Sequence, residues 1–260
     1  MIRLAGKLGI VLLVLTLLAS CAQAAKYAQG PKKDLSYDFS SEDKEDWVSV
    51  MADDWVCPDG VAISGITWWG SYWMPPAPSS FTIYSDTMSN AAPGGVVSFK
   101  IRVFANTAPT PSIPFDHPNY ASVLGLWDVP YANVNEALDF TVVKQASPSV
   151  VEDVYKYSVD LTKTQAGMFA QIRDQKYWLS IQAMFPASNA QWGWHESDVH
   201  RWGYAVQAIN PVQDPGWYIP CGGHDMAFEL EAVPEPASLA ALATGLGALG
   251  FGVRRLRKRS

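Results

Sequence analysis

The sequence predicts an all-β fold, an antiparallel β-sandwich of jelly-roll-like kind, on three observations. Short runs rich in β-branched and aromatic residues recur along the chain, Pro- and Gly-rich breakers separate them, and no long amphipathic helical pattern competes. Ser98-Phe99-Lys100-Ile101-Arg102-Val103 and Tyr155-Lys156-Tyr157-Ser158-Val159-Asp160-Leu161 alternate apolar and polar residues, the period of two that marks a half-buried strand.

In chain order, further strands are expected at Val61 to Trp69, Phe81 to Tyr84, Leu138 to Val143, Tyr177 to Phe185, Tyr204 to Ile209 and Met226 to Val233. Residues 25–45 open the folded part as a mobile arm or a first edge strand. Pro58-Asp59-Gly60, Met74-Pro75-Pro76-Ala77-Pro78, Ala92-Pro93-Gly94-Gly95, the proline-rich Ala108 to Pro118 and Asp214-Pro215-Gly216 punctuate the chain. Thr162 to Asp174 could hold one short helix and Asn133 to Leu138 a turn. No repeat of 20 to 50 residues suggests a propeller or solenoid.

The two ends are addresses. Arg3 and Lys7, an apolar core from Leu8 to Leu18 and small residues after it have the layout of a secretory signal peptide over residues 1–24. Leu18-Ala19-Ser20-Cys21 reads as a lipobox and Ala22-Gln23-Ala24 as an ordinary cleavage site. The second is favoured, because a lipid on Cys21 would duplicate the membrane targeting of the tail. That tail, residues 234–260, joins Pro234-Glu235-Pro236 to an apolar run over 237–253 and the cluster Arg254-Arg255-Leu256-Arg257-Lys258-Arg259. At 1.5 Å per residue the run spans roughly 25 Å, at the short end for a bilayer. Basic residues held on the cytoplasmic side would leave everything before Pro234 outside. These three parts, in this order, closely resemble the PEP-CTERM sorting signal. The resemblance implies recognition by an exosortase that cuts near Pro-Glu-Pro, transient membrane insertion, and delivery to the cell surface or an extracellular matrix.

Charge narrows the partners of the exported part, residues 25–233. It keeps 12 basic residues against 24 acidic ones, a net of −12. Nucleic acid and anionic lipid are poor partners for such a surface, since their binding rests on phosphate neutralisation by Lys and Arg. Cys57 and Cys221 are the pair left in the folded part, and export predicts a disulfide between them.

Ala52-Asp53-Asp54-Trp55-Val56-Cys57-Pro58-Asp59-Gly60, Ile66-Thr67-Trp68-Trp69-Gly70-Ser71-Tyr72-Trp73, Tyr177-Trp178-Leu179-Ser180-Ile181, Trp192-Gly193-Trp194 and Asp225-Met226-Ala227-Phe228 together resemble an uncharacterised domain found in many PEP-CTERM proteins. That resemblance covers most of the exported part and implies a β-sandwich, with no known activity.

Eleven tryptophans offer either a core or a sugar platform. Neighbours in a strand face opposite ways, so one of Trp68 and Trp69 should be core and the other on the outer face or under a loop, while Trp192 and Trp194 should share a face. Trp55, Trp68 and Trp178 read as core. Trp73, Trp192, Trp194 and Trp217, beside Pro and Gly, are the candidate glycan contacts. Asp53, Asp54, Asp59 and Asp225, near the two cysteines, are candidate ligands for a structural calcium; no other cofactor is expected. His195, Glu196, Asp198, His200 and His224 lack the i, i+4 histidine spacing of a zinc helix. No Gly-x-Ser-x-Gly elbow or phosphate-cradling glycine loop occurs.

The reading is therefore a non-catalytic structural or adhesive protein, exported and sorted by an exosortase. The alternatives are a carbohydrate-binding module using loop tryptophans, and a polysaccharide hydrolase with Glu196 and Asp198 as its carboxylates.

Overall fold

The computed structural model describes residues 25–34, 36–44, 47–73, 95–144, 150–186, 191–210, 216–220 and 222–232. The leader, the sorting tail with Pro234, Glu235, Pro236, Arg254 and Arg255, the strand expected over Phe81 to Tyr84, and Cys221 lie outside these. Among the described residues no helix is long and apolar enough to cross a membrane.

The described residues form thirteen strands, in chain order: β1 (Ala25–Gln29), β2 (Asp38–Ser40), β3 (Glu42–Lys44), β4 (Trp47–Val56), β5 (Ile63–Trp73), β6 (Ser98–Thr107), β7 (His117–Pro130), β8 (Asn135–Lys144), β9 (Val150–Asp160), β10 (Lys176–Met184), β11 (Gln191–His195), β12 (Val206–Ile209) and β13 (Phe228–Ala232). One sheet runs β1-β13-β5-β11-β2, with β9 also on β5 and β8 on β9. The other runs β12-β4-β3-β10-β6-β7. The pairings are antiparallel except for a parallel contact of β3 with β10 at Ala183 and Glu42. This is the antiparallel β-sandwich that the alternating runs predict.

The core between the sheets is aromatic. Trp55, Trp68, Phe99, Tyr157 and Trp192 lie in it, with Trp68 stacked on Tyr157 at 5.5 Å and Phe99 edge-on to both Trp68 and Trp192. Tryptophan takes the volume that leucine would fill elsewhere, and tilted ring pairs add to the burial. Trp69 sits on the outer face of its sheet with Val142, Val154 and Ala227, as strand alternation requires of the neighbour of a core Trp68. A third apolar cluster, of Val50, Ala52, Phe104, Trp178, Val206, Ala208 and Trp217, covers the outer face of the six-stranded sheet.

One glycine fixes the approach of β11 to β5. A Cβ on Gly70 would lie 2.4 Å from the Trp192 ring and 2.6 Å from the Gly193 carbonyl, so this register admits no side chain there.

Three expectations are corrected. The short helix over Thr162 to Asp174 shrinks to a 3-10 turn at Leu161–Lys163, capped by the Asp160 side chain accepting from Thr162 N–H. The Trp192-Gly193-Trp194 stretch is strand rather than loop, and both rings point inward. The expected Cys57–Cys221 disulfide is not present. Cys57 is a buried free thiol whose sulfur accepts from Gly60 N–H at 3.1 Å, inside the tight turn that leads to β5. Lys26 lies 3.7 Å from the same sulfur and is ion-paired to Asp59.

Candidate functional site

The chemistry of the sandwich concentrates where β4 meets the segments around residues 195–204 and 222–226. Strand alternation begins it. Asp53 and Asp54 are adjacent in β4, so their carboxylates leave on opposite faces.

Asp53 points into the sandwich and is fully buried. Its Oδ2 accepts from Gln29 Nε2–H, in the opposite sheet, at 2.9 Å and from Met226 N–H, just before β13, at 2.6 Å, and its Oδ1 accepts from Asp54 N–H at 2.7 Å. Burial pushes this carboxyl well above the usual carboxylate range, and the neighbouring Asp225 pushes it further. Asp54 faces outward. It accepts from Lys176 Nζ at 2.8 Å and from Gly203 N–H at 3.3 Å, and burial raises it in spite of the lysine.

Asp225 is buried as well, 3% exposed, and burial pushes it up to about 6. Its Oδ2 accepts twice, from Nδ1–H of His200 and from N–H of Arg201, each at 2.9 Å. Two buried carboxylates thus clasp the loop Asp198–Tyr204, Asp225 at Arg201 and Asp54 at Gly203. Between the clasps, Trp202 adopts φ 61°, a left-handed conformation that costs a bulky side chain energy and persists only when neighbours impose it. Its indole is exposed, as are Tyr204 and Tyr37.

Histidines here are held by acids. His224 Nδ1 meets Glu196 Oε1 at 2.7 Å, and the same carboxylate accepts from Lys32 at 3.2 Å and Tyr37 N–H at 3.1 Å. His195 is fully buried, with Nδ1 2.8 Å from Asp38 Oδ1 and Nε2 2.8 Å from the Lys32 carbonyl. With Asp38 ionised both partners are acceptors, so both ring nitrogens carry protons. Burial alone would pull this imidazole down, but Asp38, the Lys32 carbonyl and Glu152 together outweigh it and the net shift is upward.

Among the described residues, Asp38, Glu152 and His195 are the trio whose ligand atoms lie within 4.8 Å of one another. As arranged, both nitrogens of His195 face oxygen acceptors, so a metal in this trio would have to displace a ring proton and the Asp38 hydrogen bond. The four aspartates expected to hold calcium do not converge. Asp59 pairs with Lys26 and Asp54 with Lys176, while Asp53 and Asp225 each have their own N–H donors.

The expected glycan contacts fare similarly. Trp192 and Trp194 are fully buried and Trp217 is 4% exposed, so none offers an open ring face. Trp73 has its backbone in β5, and its side chain is outside the described residues. Among the described residues the exposed aromatic rings are Trp202, Tyr37, Tyr204 and Tyr218, none of them among the expected glycan contacts. A signal did exist: Trp202-Gly203 precedes the strand expected from Tyr204, so Trp202 falls outside the strand pattern.

The fold and this arrangement define a β-sandwich whose polar groups are organised around structural clasps. Comparison with known families agrees. Residues 232–258 match the PEP-CTERM protein-sorting motif, which marks an exported protein sorted by an exosortase. Residues 25–231 match a domain of unknown function, DUF7901, and the chain belongs to that family. No curated protein matches the chain.

Proposed function

We propose that this is a non-catalytic structural or adhesive component of the cell surface or of an exopolysaccharide matrix, released there after the exosortase has acted on its tail. What supports the reading is the use made of the acids and histidines. Glu196, the residue most suggestive of a catalytic carboxylate, is buried and serves Lys32, His224 and the Tyr37 amide at once. A general acid or base needs a free lone pair or proton facing substrate, and a carboxylate tied to three internal donors is a fastener. Asp198, its expected partner, is exposed.

Fractionation of the native host tests this. The protein should leave the membrane for the surface or matrix fraction when the exosortase is present and accumulate in the membrane when it is deleted. Cells lacking the protein should show altered matrix cohesion without a loss of polysaccharide-degrading activity.

A second reading, carbohydrate binding, is favoured by one observation: the row of exposed rings over the clasped loop.

A further inference from the structure

We infer that Tyr37, His224, Gly223, Tyr204, His200 and Trp202 form a binding strip for an uncharged polysaccharide. The inference rests on the reading of the protein as a matrix component and names the surface it would use.

The strip is continuous. The Tyr37 ring meets His224 edge-on at 5.4 Å, and His224 follows Gly223 in the chain. Tyr204 lies so close over Gly223 that a Cβ there would fall 2.8 Å from its ring, and His200 stacks on Tyr204 with centroids 4.5 Å apart and planes 26° apart. Trp202, between His200 and Tyr204 in sequence, is 62% exposed. Tyr37 is 59% exposed and Tyr204 43%, so three large aromatic residues of this stretch reach solvent.

Two further features distinguish the ridge from scattered surface aromatics. The loop is held by buried carboxylates at Arg201 and Gly203, and Trp202 is kept in a left-handed conformation that a relaxed loop would leave. An exposed indole on a backbone held at both neighbours binds with less ordering cost than one on a free loop. Beside the rings stand polar groups of the right kind. Nδ1–H of His200 is given to Asp225, and among the described residues its Nε2 has no partner although the side chain is 53% exposed. That nitrogen can accept from a hydroxyl.

Pyranose rings present flat C–H faces bordered by hydroxyls, which suits aromatic faces bordered by imidazoles. The charge of the exported part, −12, disfavours uronate or sulfate polymers. A neutral hexose polymer is the occupant that satisfies both.

Native affinity electrophoresis of the full-length protein in non-ionic detergent tests this, with gels containing hydroxyethylcellulose, a neutral mannan or alginate. Retardation by a neutral polymer is expected, and about tenfold weaker retardation in Trp202→Gly and Tyr204→Phe/Trp202→Gly proteins. Glycine suits φ 61°, so Trp202→Gly should keep the melting temperature and separate lost binding from lost folding. No retardation by either neutral polymer, retardation that survives Trp202→Gly, or preference for alginate would overturn the inference. So would a polymer-free dimer in sedimentation that Trp202→Gly dissolves, since the strip would then belong to a second copy. Surface delivery is read independently by fractionation, so a negative gel result is distinguishable from failure of the functional reading.

Discussion

His200 donates its Nδ1–H across 2.9 Å to Asp225, joining a half-exposed imidazole to a carboxylate that is almost wholly buried. The same oxygen holds the Arg201 amide, so one side chain fixes both the ring and the backbone of the loop that carries Trp202. Asp225→Ala removes the acceptor of both donors and leaves a backbone N–H to find water. The cost should be about 2–3 kcal/mol, seen as a fall in melting temperature and faster hydrogen exchange at the Arg201 amide. Asp225→Asn keeps an acceptor oxygen and should cost less. Equal effects of the two would contradict the clasp.

The pH dependence follows from direction. Asp225 is raised from 3.8 to about 6, so the folded chain binds this proton more tightly than the unfolded chain does. Its contribution to stability is fully present below about pH 4 and is lost as pH rises through about 6. Asp53 is raised too and has the same sign. Denaturant unfolding from pH 4 to 7 should show wild type losing stability relative to Asp225→Asn as pH rises; a constant difference would refute this.

Gly70→Ala tests the aromatic core. The added methyl would fall 2.4 Å from the Trp192 ring, and a close-packed interior has no slack to absorb it. Destabilisation of about 1–3 kcal/mol is expected, with a changed near-ultraviolet circular dichroism spectrum as Trp192 moves. An unchanged spectrum and melting temperature would mean that the β5–β11 register is not as described.

Much of this was legible in the chain. Period-two alternation located β6 and β9, and the same rule separated Trp68 from Trp69 and put Trp192 and Trp194 on one face. Strand β4 was hidden because Asp53-Asp54 reads as a turn; it is strand because donors on both faces of the sheet meet the two carboxylates. Strand β7 was hidden by prolines at both ends, Pro118 and Pro130, and by a mixed pattern of burial along an edge. Trp192 and Trp194 were misassigned to a loop because neighbouring glycine suggested exposure, whereas Gly70 and Gly193 permit close approach of strands. The clasped loop depends on contacts between residues more than 20 positions apart, such as His200 with Asp225 and Gly203 with Asp54, and spacing along a chain does not encode those.

Cys57 gives a chemical prediction. Its thiol is buried and accepts from the Gly60 amide. In native protein it should resist alkylation, and in denatured, unreduced protein its peptide should carry one alkyl group by peptide mapping. A Cys57 peptide found cross-linked to another cysteine would contradict the free thiol.

Sorting is tested most directly by intact mass of the mature protein recovered from the native host. A chain that ends near Pro234 to Pro236 and lacks Arg254 and Arg255 is the predicted result. Protein found in the membrane fraction with its mass extending to Ser260 would contradict an exosortase-sorted surface component and leave a simple tail anchor in its place.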